Sequence, residues 1–553
     1  MDSLAERSIA DERVGDPDVF GTSGAMTRHH FSCGDMDESN VRSVMLSAEV
    51  CQRAVEARDP RFDGIFFVGV TTTGIYCRPI CPSRRADPDR RRFFPSAAAA
   101  EREHFRPCLR CRPELAPGRA LVDAVSRLAC AAADRIAGGA LTGRTVASLA
   151  SELFVGERHL RRALKRELGV SPVELAQTHR LLLAKRLLAD TTLSMTDVAF
   201  ASGFQSLRRF NSLILERYGM SPTALRRAAT SGPRHRVAPM VADQPDPAGE
   251  PLRLTLAYRA PFAWRELVAY LSGRAVPGVE TVEDARYGRT VRLDGRTGFV
   301  VVDDDAPARQ LKLEISPSLL PVMLPLLARL RRLFDLDSEP SVVDAHLEKS
   351  GLAFHIRRRP GLRVPGAFEG FEVAMMAILE AASPSRERSS DVASRIVDAL
   401  GDPLDTGIRG LDRLTPLPES VAEAGPVGLA GLGVAPGSAR AIAVLANGLA
   451  CGTLRLDPGS DVKTACRALV DTCGLGERLA GTIVMRALHW PDAFPASDRA
   501  LQRATETHGE DALRALAEQW RPWRAYAAFH LWTHDPAKRR DEVVRRNGQA
   551  AIA

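Results

Sequence analysis

The sequence predicts a multidomain α+β protein in three parts, and three observations predict it. Four cysteines stand in two close pairs within a short, Pro-punctuated stretch. A helical segment then carries one pattern twice, and a run of alternating apolar and polar residues later gives way to helical periodicity. At 553 residues the chain is several times the length of one ordinary domain.

Hydrophobic residues make up 45% of the chain and charged residues 26%, a globular composition. No run of 18 apolar residues occurs, and the start lacks the charged, apolar and small-residue order of a signal peptide. A cytoplasmic protein with no membrane partner is expected. The net charge of +7 conceals an asymmetry: residues 51–230 hold 30 Lys and Arg against 17 Asp and Glu, a surplus of +13, which leaves −6 on the remainder. Such a surplus suits a polyanion partner, or else a solvated arginine-rich surface. Ten cysteines is ordinary usage, and the six outside the paired stretch (Cys33, Cys51, Cys130, Cys451, Cys466 and Cys473) show no framework spacing, so disulfides are not expected.

Taken in order, residues 1–45 are polar and without sustained period, the pattern of a disordered tail. Residues 46–118 are short-paced, turn-rich and Cys-containing, whereas 119–229 read as consecutive helices with leucine at helical spacing. Pro, Gly and Asp break the pattern over 230–250, which predicts a linker. In 251–340, "LRLTLAYRAPFAW", "RTVRLDGRTGFVVVDDD" and "RQLKLEI" alternate as strands, with Asp294-Gly295 as a hairpin turn. From about 318 onward the periodicity is helical, continuing through 341–535, and 536–553 is a C-terminal tail.

Cys77, Cys81, Cys108 and Cys111 give C-x3-C, 26 residues, then C-x2-C, a spacing that lets four thiolates converge on one Zn2+. Spacing leaves open whether such a site is an inert staple or a reactive centre. The surrounding residues, "FDGIFFVGVTTTGIYCRPICPSRR" and "RRFFPSAAAAEREHFRPCLRCRPEL", closely resemble the zinc domain of the Ada family of alkylation-response proteins. That resemblance implies repair of DNA methyl phosphotriesters by transfer of the methyl group to the first cysteine of the cluster, here Cys77, in a single suicidal turnover. A zinc-held thiolate needs no general base, and methylating one of four thiolates changes the formal charge of the centre from −2 to −1, which DNA phosphates repel less.

In the helical segment, "VASLASELFVGERHLRRALKRELGVSP" and "MTDVAFASGFQSLRRFNSLILERYGMSP" both end in Gly-x-Ser-Pro. Leu160, Leu164 and Leu168 fall on one face of the first repeat and leave Arg158, Arg161, Arg162 and Lys165 outside it. Leu207, Phe210 and Ile214 do the same in the second, leaving Arg208 and Arg209. Helix, tight turn at Gly156 or near Gly203, then basic helix is the helix-turn-helix order, with a generic bundle as the alternative. The pair resembles the DNA-binding domain of the AraC family, which implies two recognition helices in successive major grooves, with base readout from Arg158, Arg161, Gln205 and Arg208.

In the back half, "RPGLRVPGAFEGFEVAMMAIL", "RLRRLFDLDSEP", "FPASDRALQRA" and "WRPWRAYAAFHLW" together resemble the AlkA-type DNA-3-methyladenine glycosylases of the helix-hairpin-helix superfamily. The resemblance implies a small β-rich subdomain and an all-α helix-hairpin-helix region, a hairpin at Gly474-Leu475-Gly476 whose exposed amides meet a DNA phosphate, a catalytic carboxylate at Asp498, and an aromatic pocket wall at Trp532. Departures stand beside these matches. Arg478 and Thr482 occupy positions that are usually Trp and Tyr, Cys473 replaces the hairpin's usual Pro, and Glu380-Ala381-Ala382-Ser383-Pro384 replaces a loop that carries an apolar wedge. An arginine at 478 is expected to repel a cationic flipped base.

The expected whole is an Ada-type zinc domain (46–118) with one Zn2+ and no other cofactor, an AraC-type domain (119–229), and an AlkA-type glycosylase half (251–340 and 341–535). It would take methyl groups from phosphotriesters, act as a methylation-activated regulator that meets promoter DNA and the transcription machinery in the nucleoid, and excise alkylated purines. The alternative is a DNA-binding methyl sensor whose glycosylase-like half is an impaired scaffold.

Overall fold

The computed structural model describes residues 46–118, 127–230 and 250–533. The expected tails at 1–45 and 536–553, the first residues of the 119–229 segment and nearly all of the 230–250 linker lie outside the described residues. No helix among the described residues is long and apolar enough to cross a membrane.

The first lobe wraps two helices, α1 (Ala48–Ala57) and α2 (Ala97–Arg102), around a four-stranded sheet of β1 (Phe67–Val70), β2 (Ile75–Cys77), β3 (Arg91–Phe94) and β4 (Arg106–Pro107), in the order β3-β1-β2-β4. Ser47 and Ser96 cap the two helices by accepting from Val50 N and Ala99 N. Gly69 in β1 has the rings of Phe94 and Phe105 over it, so that a Cβ there would lie 2.6 Å from Phe94. β4 runs parallel to β2, and Cys108 N donates to Tyr76 O at 2.9 Å, which carries the second cysteine pair back beside the first.

Seven helices follow: α3 (Arg127–Ala137), α4 (Val146–Glu152), α5 (Glu157–Leu168), α6 (Pro172–Asp190), α7 (Met195–Ala201), α8 (Leu207–Tyr218) and α9 (Pro222–Thr230). The repeated Gly-x-Ser-Pro has a physical cause. Gly169 and Gly219 end α5 and α8 with φ of +75° and +67°, and Ser171-Pro172 and Ser221-Pro222 then start α6 and α9 with a serine cap and proline at the first position. α6 adds a full capping box between Ser171 and Glu174.

The back half opens with β5 (Leu252–Ala257) and α10 (Trp264–Ser272). The strands β6 (Glu280–Glu283), β7 (Arg286–Leu293), β8 (Arg296–Asp305) and β9 (Gln310–Ile315) complete an antiparallel sheet in the order β5-β9-β8-β7-β6. The β7–β8 hairpin turns on Asp294 and Gly295, both at positive φ, as the sequence predicts. The helical part comprises α11 (Met323–Leu333), α12 (Pro340–Leu347), α13 (Ala353–Arg358), α14 (Gly370–Ala382), α15 (Arg386–Leu400), α16 (Pro418–Gly431) and α17 (Pro436–Ala450). It is completed by α18 (Val462–Asp471), α19 (Glu477–Ala487), α20 (Arg499–Ala504), α21 (Glu510–Ala517) and α22 (Arg524–Trp532).

The apolar cores do not follow the sequence segments. Phe67, Tyr76, Phe94 and Phe105 of the first lobe share one core with Leu149, Leu160 and Leu164 of the first helix-turn-helix. Phe204, Phe210 and Ile214 of the second share another with Leu254 and Leu313 of the back-half sheet and with Leu326 and Phe334. Two further clusters, one of α14–α19 with Val276 and Val279 and one joining α12, α13 and α20–α22, complete the helical region.

Candidate metal centre and carboxylate cleft

β2 ends on Cys77, a turn in which Cys81 N donates to Arg78 O at 3.1 Å brings Cys81 back, and β4 delivers Cys108 and Cys111. The four Sγ atoms lie within 4.8 Å of one another. Zn–S bonds of about 2.3 Å at tetrahedral angles put sulfurs about 3.8 Å apart, so the set fits one Zn2+. Shared protons push Cys77 and Cys111 up and Cys81 down, chiefly through Cys108, and Cys108 is drawn down to about 6 chiefly by Cys111. Four thiolates at this separation require a cation among them.

The sulfurs are not equivalent. Cys111 Sγ accepts from Arg78 N and Cys108 Sγ from Arg110 N, both at 3.4 Å, and both cysteines are buried. Cys81 has Ser83 beside it. Cys77 is half-buried and has no hydrogen-bond donor outside the cluster among the described residues. A thiolate without donors keeps its electron density, which favours it as a nucleophile.

On α5, Arg158, Arg161, Arg162 and Lys165 are exposed, as are Gln205, Arg208 and Arg209 at the start of α8, while Leu160, Leu164, Phe210 and Ile214 face the cores. Leu207 is only partly buried. Arg161 is engaged by Glu157 one turn earlier, with its Nε 2.9 Å from Glu157 Oε1.

Asp498 caps α20. Its Oδ1 accepts from Ala500 N at 2.8 Å and Leu501 N at 3.1 Å, and the indole N–H of the half-buried Trp532 points at the same oxygen from 3.4 Å. Oδ2 faces Nη1 of Arg478 at 3.9 Å. Gly474, at φ +67°, and Gly476, the cap of α19, are exposed, with nothing within 4 Å of where a Cβ would stand. Cys473 is buried beneath that turn, Thr482 returns its hydroxyl to Arg478 O at 3.0 Å, and Glu380 pairs with Arg274 at 3.3 Å.

Three family models match the chain: the metal binding domain of Ada over residues 50–114, a helix-turn-helix domain over 149–228, and the AlkA N-terminal domain over 253–369. A Mycobacterium tuberculosis protein named "Probable bifunctional transcriptional activator/DNA repair enzyme AlkA" is 38% identical over 490 residues, 88% of this chain and 96% of its own length. The chain belongs to the bifunctional AlkA family. DNA-3-methyladenine glycosylase 2 of Escherichia coli matches at 32% over 50% of this chain and 96% of its own. The bifunctional transcriptional activator/DNA repair enzyme Ada of the same organism matches at 32% over 34% of this chain and 51% of its own.

In this bifunctional AlkA protein the four cysteines are the ligand set of one Zn2+. Sequence reasoning missed how the centre is wired to the regulator helices. Lys185, buried in α6, donates to Cys108 O at 3.3 Å and pairs with Glu114, and Arg112 bridges Glu114 and Asp190 at 2.9 and 2.7 Å. Burial alone would push the Glu114 carboxyl up, but Lys185 and Arg112 hold it below the usual carboxylate range. The signal was there: a lysine inside "LLLAKRLLAD" is a charge on an apolar helix and needs a buried partner. The structure also sets Arg478 against Asp498, a neighbour that nothing in the sequence spacing announces.

Proposed function

We propose that this protein joins three activities of the alkylation response: transfer of methyl groups from DNA methyl phosphotriesters to Cys77, methylation-activated transcription regulation, and excision of damaged purines of the 3-methyladenine type. The observation that carries the first is the half-buried sulfur of Cys77, which among the described residues has no donor outside the cluster while its neighbours have theirs. Zn2+, when bound, holds the sulfurs as thiolates at neutral pH. Cys77 Sγ attacks the methyl carbon, the carbon–oxygen bond breaks, and the phosphodiester leaves with the electron pair. The thioether that remains has no route to turnover, so the step is suicidal.

Residues 46–118 serve as this acceptor and 119–229 as the regulator, whose exposed Arg158, Arg161, Gln205 and Arg208 meet base edges of double-stranded promoter DNA. Arg162, Lys165 and Arg209 meet its phosphates. Loss of one negative charge at the centre favours that DNA-bound state, which would recruit the transcription machinery. Residues 251–340 and 341–535 form the excision module. There the amides at Gly474 and Gly476 receive a phosphate, Trp532 walls the flipped base, and Asp498 Oδ2 faces the sugar as the purine departs. The relatives named as repair enzymes favour this reading over that of a retired scaffold.

The test is to incubate the zinc-loaded protein with methylated duplex DNA and to measure both free-base release and label on protein. Asp498→Asn should abolish release and leave methyl uptake intact, and Cys77→Ala should do the reverse. Undiminished uptake by the Cys77 variant, or equal release by the Asp498 variant, refutes the corresponding assignment.

A further inference from the structure

The two oxygens of Asp498 are differently occupied. Oδ1 carries the two cap bonds and the indole N–H, so Oδ2 is the oxygen left for chemistry, and the charged group set against it is the Arg478 guanidinium at 3.9 Å. That distance is too long for a hydrogen bond. Arg478 is the second residue of α19, immediately after the hairpin glycines, and its side chain is 46% exposed. Among the described residues its guanidinium donates to no protein acceptor, so its N–H fork is available to whatever enters beside Asp498.

N-glycosidic hydrolysis breaks the bond from C1′ to the purine nitrogen, and the electron pair leaves on that nitrogen. Water adds to C1′ and its proton passes to Oδ2, and from there to the base that departs as an anion or to solvent where the base departs neutral. A purine that carries a fixed positive charge departs neutral and needs no help, whereas an uncharged purine departs as an anion until protonated. A guanidinium at the mouth of the cleft acts oppositely on the two. It offsets part of the carboxylate charge for both, but it also repels the cationic base on approach, whereas for the uncharged base it supplies a charged donor where negative charge develops.

We propose that Arg478 is the specificity-determining residue of this cleft: relative to the same cleft without it, it lowers excision of cationic purines of the 3-methyladenine type and extends acceptance to uncharged damaged purines. This deepens the excision reading above and rests on Asp498 being its hydrolytic carboxylate.

The experiment uses the full-length, zinc-loaded protein in single-turnover release from two duplex oligonucleotides of one sequence, bearing hypoxanthine as the uncharged base or 7-methylguanine as the cationic one. The quantity read is the ratio of the hypoxanthine rate to the 7-methylguanine rate. It should fall by about ten-fold or more in Arg478→Gln, with the cationic rate rising, and be largely kept in Arg478→Lys. A structural defect would lower both rates together, so the ratio separates specificity from misfolding. A ratio unchanged in Arg478→Gln while Asp498→Asn is inactive overturns the role of Arg478 alone. Release that survives Asp498→Asn, or is absent from every variant on both duplexes, overturns the excision reading and this inference with it.

Discussion

The zinc centre and the Asp498 cleft place their reactive atoms in opposite settings. Around the four sulfurs almost every flanking group is spoken for: Arg78 bonds Asp63 and Cys111 O, Arg112 bonds Glu114 and Asp190, and Lys185 reaches Cys108 O from the neighbouring helices. Around Asp498 the carboxylate alone is pinned, while Arg478, Gly474 and Gly476 face solvent. A centre meant to react once and report the event profits from rigid wiring. A site that must admit, release and readmit a nucleotide needs a free rim.

The largest effect should come from removing the metal. Structural zinc contributes on the order of 10 kcal/mol to folding, so a chelator should unravel the first lobe and abolish methyl uptake. Base release should stay within about two-fold, since the Asp498 region draws on a different apolar cluster. Release that fell together with uptake would break the comparison. Next in size, Lys185→Met removes one of the two cations that hold the buried Glu114 and leaves Arg112 as the other, a loss of up to about 3–5 kcal/mol. Thermal melting should register that cost, and methyl uptake should persist while methylation no longer strengthens promoter binding.

A smaller effect is pH-dependent. Glu101 is buried between Tyr76 OH at 3.0 Å and Thr178 Oγ1 at 2.9 Å, and burial raises its carboxyl to about 7. Its contribution is therefore fully present below the ordinary glutamate value near 4.5 and lost as pH rises through 7. Glu101→Gln should flatten this slope by up to about 3 kcal/mol, measured by denaturant unfolding between pH 5 and 8. Least of all in stability, Gly476→Ala should cost about 0.5–1 kcal/mol, because the position is an open helix cap. It should nevertheless weaken binding of duplex DNA, since the new methyl would stand where the backbone is exposed; unaltered affinity would remove the hairpin from the interface.

What the sequence showed plainly was local and periodic. The four-cysteine spacing, the doubled Gly-x-Ser-Pro and the Asp294-Gly295 turn each follow from chemistry within a few residues, and the fold class follows from them. Harder to read was whatever pairs groups distant in the chain. Lys185 with Glu114 and Arg478 with Asp498 are separated by 71 and about 20 positions, and no periodicity announces such meetings. The inequality among the four sulfurs is likewise invisible to spacing, because it arises from which backbone N–H groups point at them.

The merged cores bear on how this molecule could be dissected. Cutting the chain within 230–250 would strip Phe204, Phe210 and Ile214 from the sheet residues Leu254 and Leu313, leaving a greasy scar on both fragments. Separately expressed halves should be sticky and aggregation-prone, and module swaps with other glycosylases would need the second helix-turn-helix to travel with its sheet. The natural unit of exchange here is a pair of neighbours, not a domain.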